Sequence, residues 1–161
     1  MQTTTSPIIH TFPNIAPINT VEDGIRTGHY TDHYRHITNE TVPLIAVEKP
    51  KTLSLVCFGR TIGETDYVAL LKELDKQPCR NAPNYLLGLM TTTPEDKMPE
   101  ELRNKYLIAA EPTKSSVFTG KFGPRCFLCV SRRGAGRELH LVYVGGFWGD
   151  HWAFVAEDLV P

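Results

Sequence analysis

His29, His33 and His36 fall in one short run, HYTDHYRH, and form the densest set of potential metal ligands in the chain. Histidines at i and i+4 on a helix can hold zinc, and a following glutamate would then serve as general base. No such glutamate sits beside them, and Gly28, Thr31 and Thr38 argue against a helix, so a solvated loop is expected here. A second candidate set is His140 and His151 with Asp150 and Glu138, the residue types of acid–base chemistry. Its nucleophile would have to be Ser131 or a cysteine, and neither lies in a G-x-S-x-G turn. Gly134-Ala135-Gly136 is not G-x-G-x-x-G and does not lead from a strand into a helix, which argues against a phosphate cradle. Cys126 and Cys129 have the spacing of half a zinc site. They lie in a strand-like run, where residues three apart face opposite ways, and no second CxxC completes the ligand set. Buried thiols are expected there.

The elements that must position these groups read as follows. Residues 1–50 carry Pro7, Pro13, Pro17, Pro43 and Pro50, which exclude long helices. One short helix is expected at Thr20–Thr27, with Thr20 as N-cap, Asp23 in the first turn and Gly28 as stop. The rest of 1–50 is read as an extended N-terminal arm, a natural element through which copies of the chain could associate as a homo-oligomer. Residues 51–161 form the second unit. Thr52–Phe58 is a strand, Glu64–Lys76 a helix, and Asn81 caps a second helix that Pro94 ends. Pro99–Lys105 adds a turn or two of helix. Strands follow at Tyr106–Ala110, Ser116–Phe118, Arg125–Val130, Glu138–Val144 and Trp152–Glu157, with glycine-rich loops at Arg132–Gly136 and Gly145–Gly149. The first strand most simply pairs with the last. The fold class is therefore α+β, with two helices packed on a small antiparallel sheet.

Within Glu138–Val144, alternation puts Leu139, Leu141 and Tyr143 on one face and Glu138, His140, Val142 and Val144 on the other. The first face suits a core. The second continues across the Gly145-Gly146 turn to Phe147, Asp150 and His151, giving the mixed aromatic and polar surface of an interaction patch.

The chain has 161 residues, 41% of them hydrophobic and 22% charged, with a net charge of −1. That size suits one domain. A near-neutral charge argues against nucleic acid as partner, and no apolar run reaches the roughly 20 residues needed for membrane insertion. The opening residues, Met1-Gln2-Thr3-Thr4-Thr5, show neither the basic nor the apolar region of a signal peptide, and the compartment stays open.

Three motifs run through the chain in order. The first is Gly28, Tyr30, Ile37, Thr38, Glu40 and Pro43; the second is Leu55, Phe58 and Arg60. The third is Arg137, Leu139, Leu141, Tyr143, Trp148, Phe154 and Ala156. Together they resemble a large, mostly uncharacterised prokaryotic and viral family, over about residues 20–157. The sequence departs from that pattern at Ala153 and Glu157, where relatives carry arginine or another basic residue. The element order is also similar to a compact C-type lectin-like fold, on which the variable proteins of diversity-generating retroelements are built. Those proteins bind ligands through a C-terminal surface rewritten by adenine-directed mutagenesis, and rewritten Asn codons cannot become Lys, Glu, Gln, Met or Trp. From Phe122 to Ala156 there is no Lys, Gln or Met, and Glu138, Trp148 and Trp152 are the exceptions. All eight lysines lie before Phe122.

The resemblance implies a non-enzymatic ligand-binding protein with no cofactor, recognising a protein or surface molecule. Leu139, Leu141, Trp148 and Phe154 would hold the scaffold. Ser131, Arg132, Arg133, Ala135, His140, Val142, Tyr143, Val144, Phe147, Asp150 and His151 would carry recognition, with Tyr143 and Phe147 as aromatic anchors. A calcium-type sugar site needs a cluster of oxygens that the C-terminal loops do not offer. The reading from a different class is a small metal-dependent or acid–base hydrolase using His140, His151 and Asp150.

Overall fold

A computed structural model describes residues 7–63, 66–111, 113, 116–119, 125–134, 136–145 and 147–159, with the backbone alone at Arg133 and Phe147. In chain order the elements are β1 (Ile8–Ile15), α1 (Val21–Thr27), β2 (Tyr30–His33), β3 (Lys51–Cys57), β4 (Ile62–Gly63), α2 (Asp66–Glu73), β5 (Lys76–Pro78) and α3 (Ala82–Thr92). A 3-10 turn (Glu95–Lys97) and α4 (Glu100–Arg103) come next, then β6 (Tyr106–Ile108), β7 (Phe118–Thr119), β8 (Arg125–Arg133), β9 (Gly136–Tyr143), β10 (Phe147–Trp148) and β11 (Trp152–Asp158).

Helix α1 starts and stops where its sequence dictates. The Thr20 side chain accepts a hydrogen bond from Asp23 N at 3.2 Å, and Gly28 closes the helix. Helix α3 begins after Asn81, but by a different device from the one expected. Asn81 is left-handed (φ 54°) and makes no side-chain cap; its carbonyl accepts from Asn84 N at 3.0 Å instead.

Among the described residues nine strands form one mixed sheet, in the order β1-β3-β11-β6-β8-β9-β2, with β5 beside β11 and β7 beside β8. The expected pairing of first and last core strands is present, Phe154 standing opposite Val56 in antiparallel register. A small, wholly antiparallel sheet is not what forms: β11 runs parallel to β6, and β2 parallel to β9. Four α-helices are described where two were expected to pack on the sheet. The sequence of 1–50 also does more than run over the surface. It supplies β1 at one sheet edge and β2 at the other, and it buries Ile15, Val21, Ile37 and Val42 in the core. Its extended run is pinned to α3, where Asn84 Nδ2 donates to Ile45 O (2.8 Å) and Tyr85 Oη donates to Lys49 O (2.6 Å).

Both faces of the sheet are covered, by different elements. On one face Leu53, Leu55, Leu107, Leu128, Val130, Leu139 and Val155 pack with Val21 of α1 and with Tyr85, Leu86 and Leu89 of α3. On the other, Val56, Ile108, Phe127, Cys129 and Phe154 pack with Tyr67 and Leu71 of α2 and with Trp148. There the Tyr67 ring stacks on Phe154 at 5.0 Å, and Trp148 meets both rings edge-on at 5.3 and 5.2 Å. Each large apolar side chain buried in this way contributes roughly 1.5–3 kcal/mol. No helix among the described residues is long and apolar enough to cross a membrane.

Candidate functional site

Side chains two apart on a strand share a face, so the second face can be followed outward beyond its α2 cover. From Ile108 it reaches Tyr106, from Phe154 it reaches Trp152, and from Cys129 it reaches Ser131; on β9 it holds Val142, His140 and Glu138. Register brings these together: Trp152 pairs with Tyr106, Ser131 with Glu138, and Cys129 with His140. Here the sheet is no longer roofed. The Tyr106 and Trp152 rings lie 4.5 Å apart and tilted, and the His140 ring meets Tyr106 edge-on at 6.3 Å. Ser131 Oγ and His140 Nε2 are hydrogen-bonded at 2.9 Å, diagonally across β8 and β9. Beside them opens a groove of about 300 Å³ lined by Asn104, Lys105, Tyr106, Ser131, Arg132 and Gly134.

The electrostatics of this corner follow from its half-burial. Desolvation lowers the pKa of His140 below its ordinary value, opposed by the Glu138 charge and by a backbone hydrogen bond with Leu141. Lys105 Nζ donates to Asp150 O at 3.1 Å, which ties the loop before β11 to the groove. Tyr106 N donates to His151 O at 2.7 Å and ties it a second time.

The expected recognition residues divide. Ser131 and His140 meet beside the groove, with Val142 half-buried farther along their face. Arg132 lines the groove too, but by alternation it belongs with Leu128 and Val130 on the other face of β8. Asp150 and His151 are exposed at its margin, their side chains 3.4 Å apart. Tyr143 is 63% exposed but belongs to the opposite face, in register with Cys126. Val144 keeps the face that alternation gave it but is not part of a surface. It is 5% exposed and joins the second core, because that face is covered here by Trp148 and α2. Phe147 contributes a backbone position in β10, opposite Gly63, and Arg133 one in β8; their side chains, and all of Ala135, lie outside the described residues. Of the expected scaffold, Leu139, Trp148 and Phe154 are buried and Leu141 half-buried.

Tyr106, Trp152 and Lys105 were not singled out from the sequence as site residues. The signal was available: Tyr106 and Trp152 each precede a core residue of the same face by two positions. Their open position depends on where α2 stops covering the sheet, which periodicity does not show.

The other candidate sets come apart. His29 Nε2 hydrogen-bonds Thr91 O at 3.1 Å, and His36 Nε2 accepts from Arg35 at 3.4 Å. Among the described residues no three of His, Cys, Asp and Glu converge to hold a metal. The four cysteines are free and buried, and burial pushes the Cys129 thiol well above its usual range.

The first and third sequence motifs meet in the structure, at a buried arginine. Arg137 Nη1 donates to Gly28 O and Met90 O, Nη2 to Thr93 O, and Nε to Glu95 Oε2. Tyr30 packs against Gly28, so closely that a Cβ there would fall 2.2 Å from its ring. The Glu157 carboxylate pairs with Lys51 at 2.9 Å.

No family model, curated protein or solved structure matches the chain. The resemblance to retroelement variable proteins therefore rests on the motifs and on the order of elements.

Proposed function

We propose that the chain is a ligand-binding module. It displays a C-terminal recognition surface on a C-type lectin-like scaffold, in the manner of the variable proteins of diversity-generating retroelements. The observation that carries this reading is the unroofed end of the sheet, where the Tyr106–Trp152 pair adjoins Ser131 and His140 beside a groove. Aromatic side chains of this kind are prominent among the residues that dominate interface energetics. They stand on strands fixed by two cores, so little ordering entropy is lost when a partner docks. Support for the scaffold comes from the pairing of β3 with β11 and from α2 and α3 packing on opposite faces.

A photo-crosslinking amino acid at position 106 tests the surface in cells that express the protein. An adduct from position 106, with none from exposed Val68 on α2, supports it; equal adducts from both positions, or none, overturn it. The retroelement origin is tested in the neighbouring DNA. A reverse transcriptase gene and a near-copy of the 3′ coding segment differing at adenines support it, and their absence removes it.

A further inference from the structure

Binding does not require a serine hydroxyl held on an imidazole, yet the surface has one. Ser131 and His140 sit on neighbouring strands with Oγ and Nε2 at 2.9 Å. With the ring proton on Nδ1, Nε2 accepts the serine proton, the arrangement of a nucleophile and its base. The backbone supplies the third part. Ala109 N donates to Leu128 O at 3.0 Å, which fixes the direction of β8: Leu128, Val130 and Arg132 turn their backbone groups toward β6. The described pairing of β6 with β8 runs only through Leu107–Val130 and Ile108–Cys129. The Arg132 N–H is therefore directed past the end of β6, into the groove that Lys105, Tyr106 and Ser131 line. The N–H following a nucleophile is a recurring oxyanion donor. Here it lies on one side of Ser131, and the base lies on the other.

We propose that Ser131 is a nucleophile activated by His140, and that the groove takes carboxylic esters, with the Arg132 N–H receiving the developing oxyanion. In the first step Ser131 Oγ bonds to the acyl carbon and His140 takes its proton. The acyl–oxygen bond to the leaving group breaks, and the alkoxide leaves with that proton. Water then attacks the acyl-serine with His140 again as base, releasing the acid and restoring the hydroxyl. Tyr106 and Trp152 form a shelf for an apolar or aromatic leaving group. The groups facing His140 are Ser131 and Cys129 on β8, Tyr106 on β6 and Glu138 on its own strand.

The test is reaction of the whole chain with a biotinylated alkyl fluorophosphonate, the adduct located by peptide mass spectrometry. One adduct is expected, on Ser131, formed with loss of fluoride. His140→Gln should slow it by about 100-fold, the scale of general-base catalysis, and p-nitrophenyl acetate turnover should fall in parallel. The labelling rate should rise with pH through a pKa below 6.5, following deprotonation of His140. No adduct at Ser131 in the wild-type chain overturns the proposal without recourse to any variant. Labelling of a correctly folded His140→Gln chain at the wild-type rate overturns it as well. Crosslinking reads a partner without covalent chemistry by the chain, and labelling needs no partner, so the two proposals fail separately.

Discussion

Arg137 Nη1 donates to the Gly28 carbonyl oxygen at 2.8 Å, and so joins the end of α1 to the start of β9 across 109 residues of chain. The same guanidinium satisfies the carbonyls of Met90 and Thr93 at the end of α3 and pairs with Glu95. Its side chain is almost wholly buried. Arg137→Met should destabilise the protein by roughly 3–5 kcal/mol, since the partners stay buried when the charge is removed. Arg137→Lys should recover only part of this, because an ammonium cannot reproduce the planar fork. Urea unfolding measures both; a loss under about 1 kcal/mol for Arg137→Met, the scale of one ordinary hydrogen bond, would refute the staple.

Tyr30 presents the opposite case. Its hydroxyl is the buried side-chain polar atom with no hydrogen-bond partner among the described residues, and burial pushes its pKa up. Removing an unsatisfied group recovers its desolvation cost, so Tyr30→Phe should stabilise the fold by about 1 kcal/mol. A lower unfolding midpoint in the phenylalanine variant would show that the hydroxyl has a partner after all.

Two glycines separate steric from conformational necessity. A Cβ at Gly88 would lie 1.9 Å from the Ala16 carbonyl oxygen, so α3 or the chain after β1 must shift. Gly88→Ala should therefore cost about 1–3 kcal/mol or more, despite the better helix propensity of alanine. At Gly134 the space is open but φ is +63°, so Gly134→Ala should cost only the left-handed penalty of roughly 1–2 kcal/mol. Thermal or urea midpoints that reverse this order would contradict the packing of α3 on the N-terminal segment.

The His140 shift makes stability depend on pH in a defined direction. Above the ordinary value of 6.5 the ring is neutral in both folded and unfolded chains and contributes nothing. As pH falls through 6.5 the unfolded chain takes up a proton that the folded chain resists, so stability drops. Below the lowered folded pKa the loss is complete and constant. His140→Gln removes this component, so wild type should lose ground to the variant as pH falls from about 7.5 through 6.5. A constant difference in urea midpoint over that range would show that the ring is not desolvated as described.

Local signals in the sequence were read correctly where one residue decides. Thr20 and Gly28 bound α1, and Pro94 follows α3, because caps and breakers act within a single turn. The strands missed in residues 1–50 have no such marker. Ile8–Ile15 contains Pro13 and is mostly exposed, and Tyr30–His33 is too short to show a period; both exist because a distant strand edge accepts them. Parallel pairing of β11 with β6 is likewise invisible in either strand alone. For the site, alternation along β9 separated two faces but could not assign inside and outside, since the sheet is covered on both. His140 and Val144 do share the face that alternation gave them, but it is open at His140 and closed over Val144, where Trp148 and α2 pack on the sheet.

Strand β11 lies in the middle of the sheet although it comes late in the chain, bonded to β3, β5 and β6. During synthesis, then, β1 with β3 and the β6–β8–β9–β2 group emerge as two ribbons with a strand-wide gap between them. Both cores contain residues of β11 and stay incomplete until Trp152–Asp158 clears the ribosome. Completion of the fold thereby waits for β11, and a chain cut before Trp152 leaves two exposed sheet edges that invite association between copies.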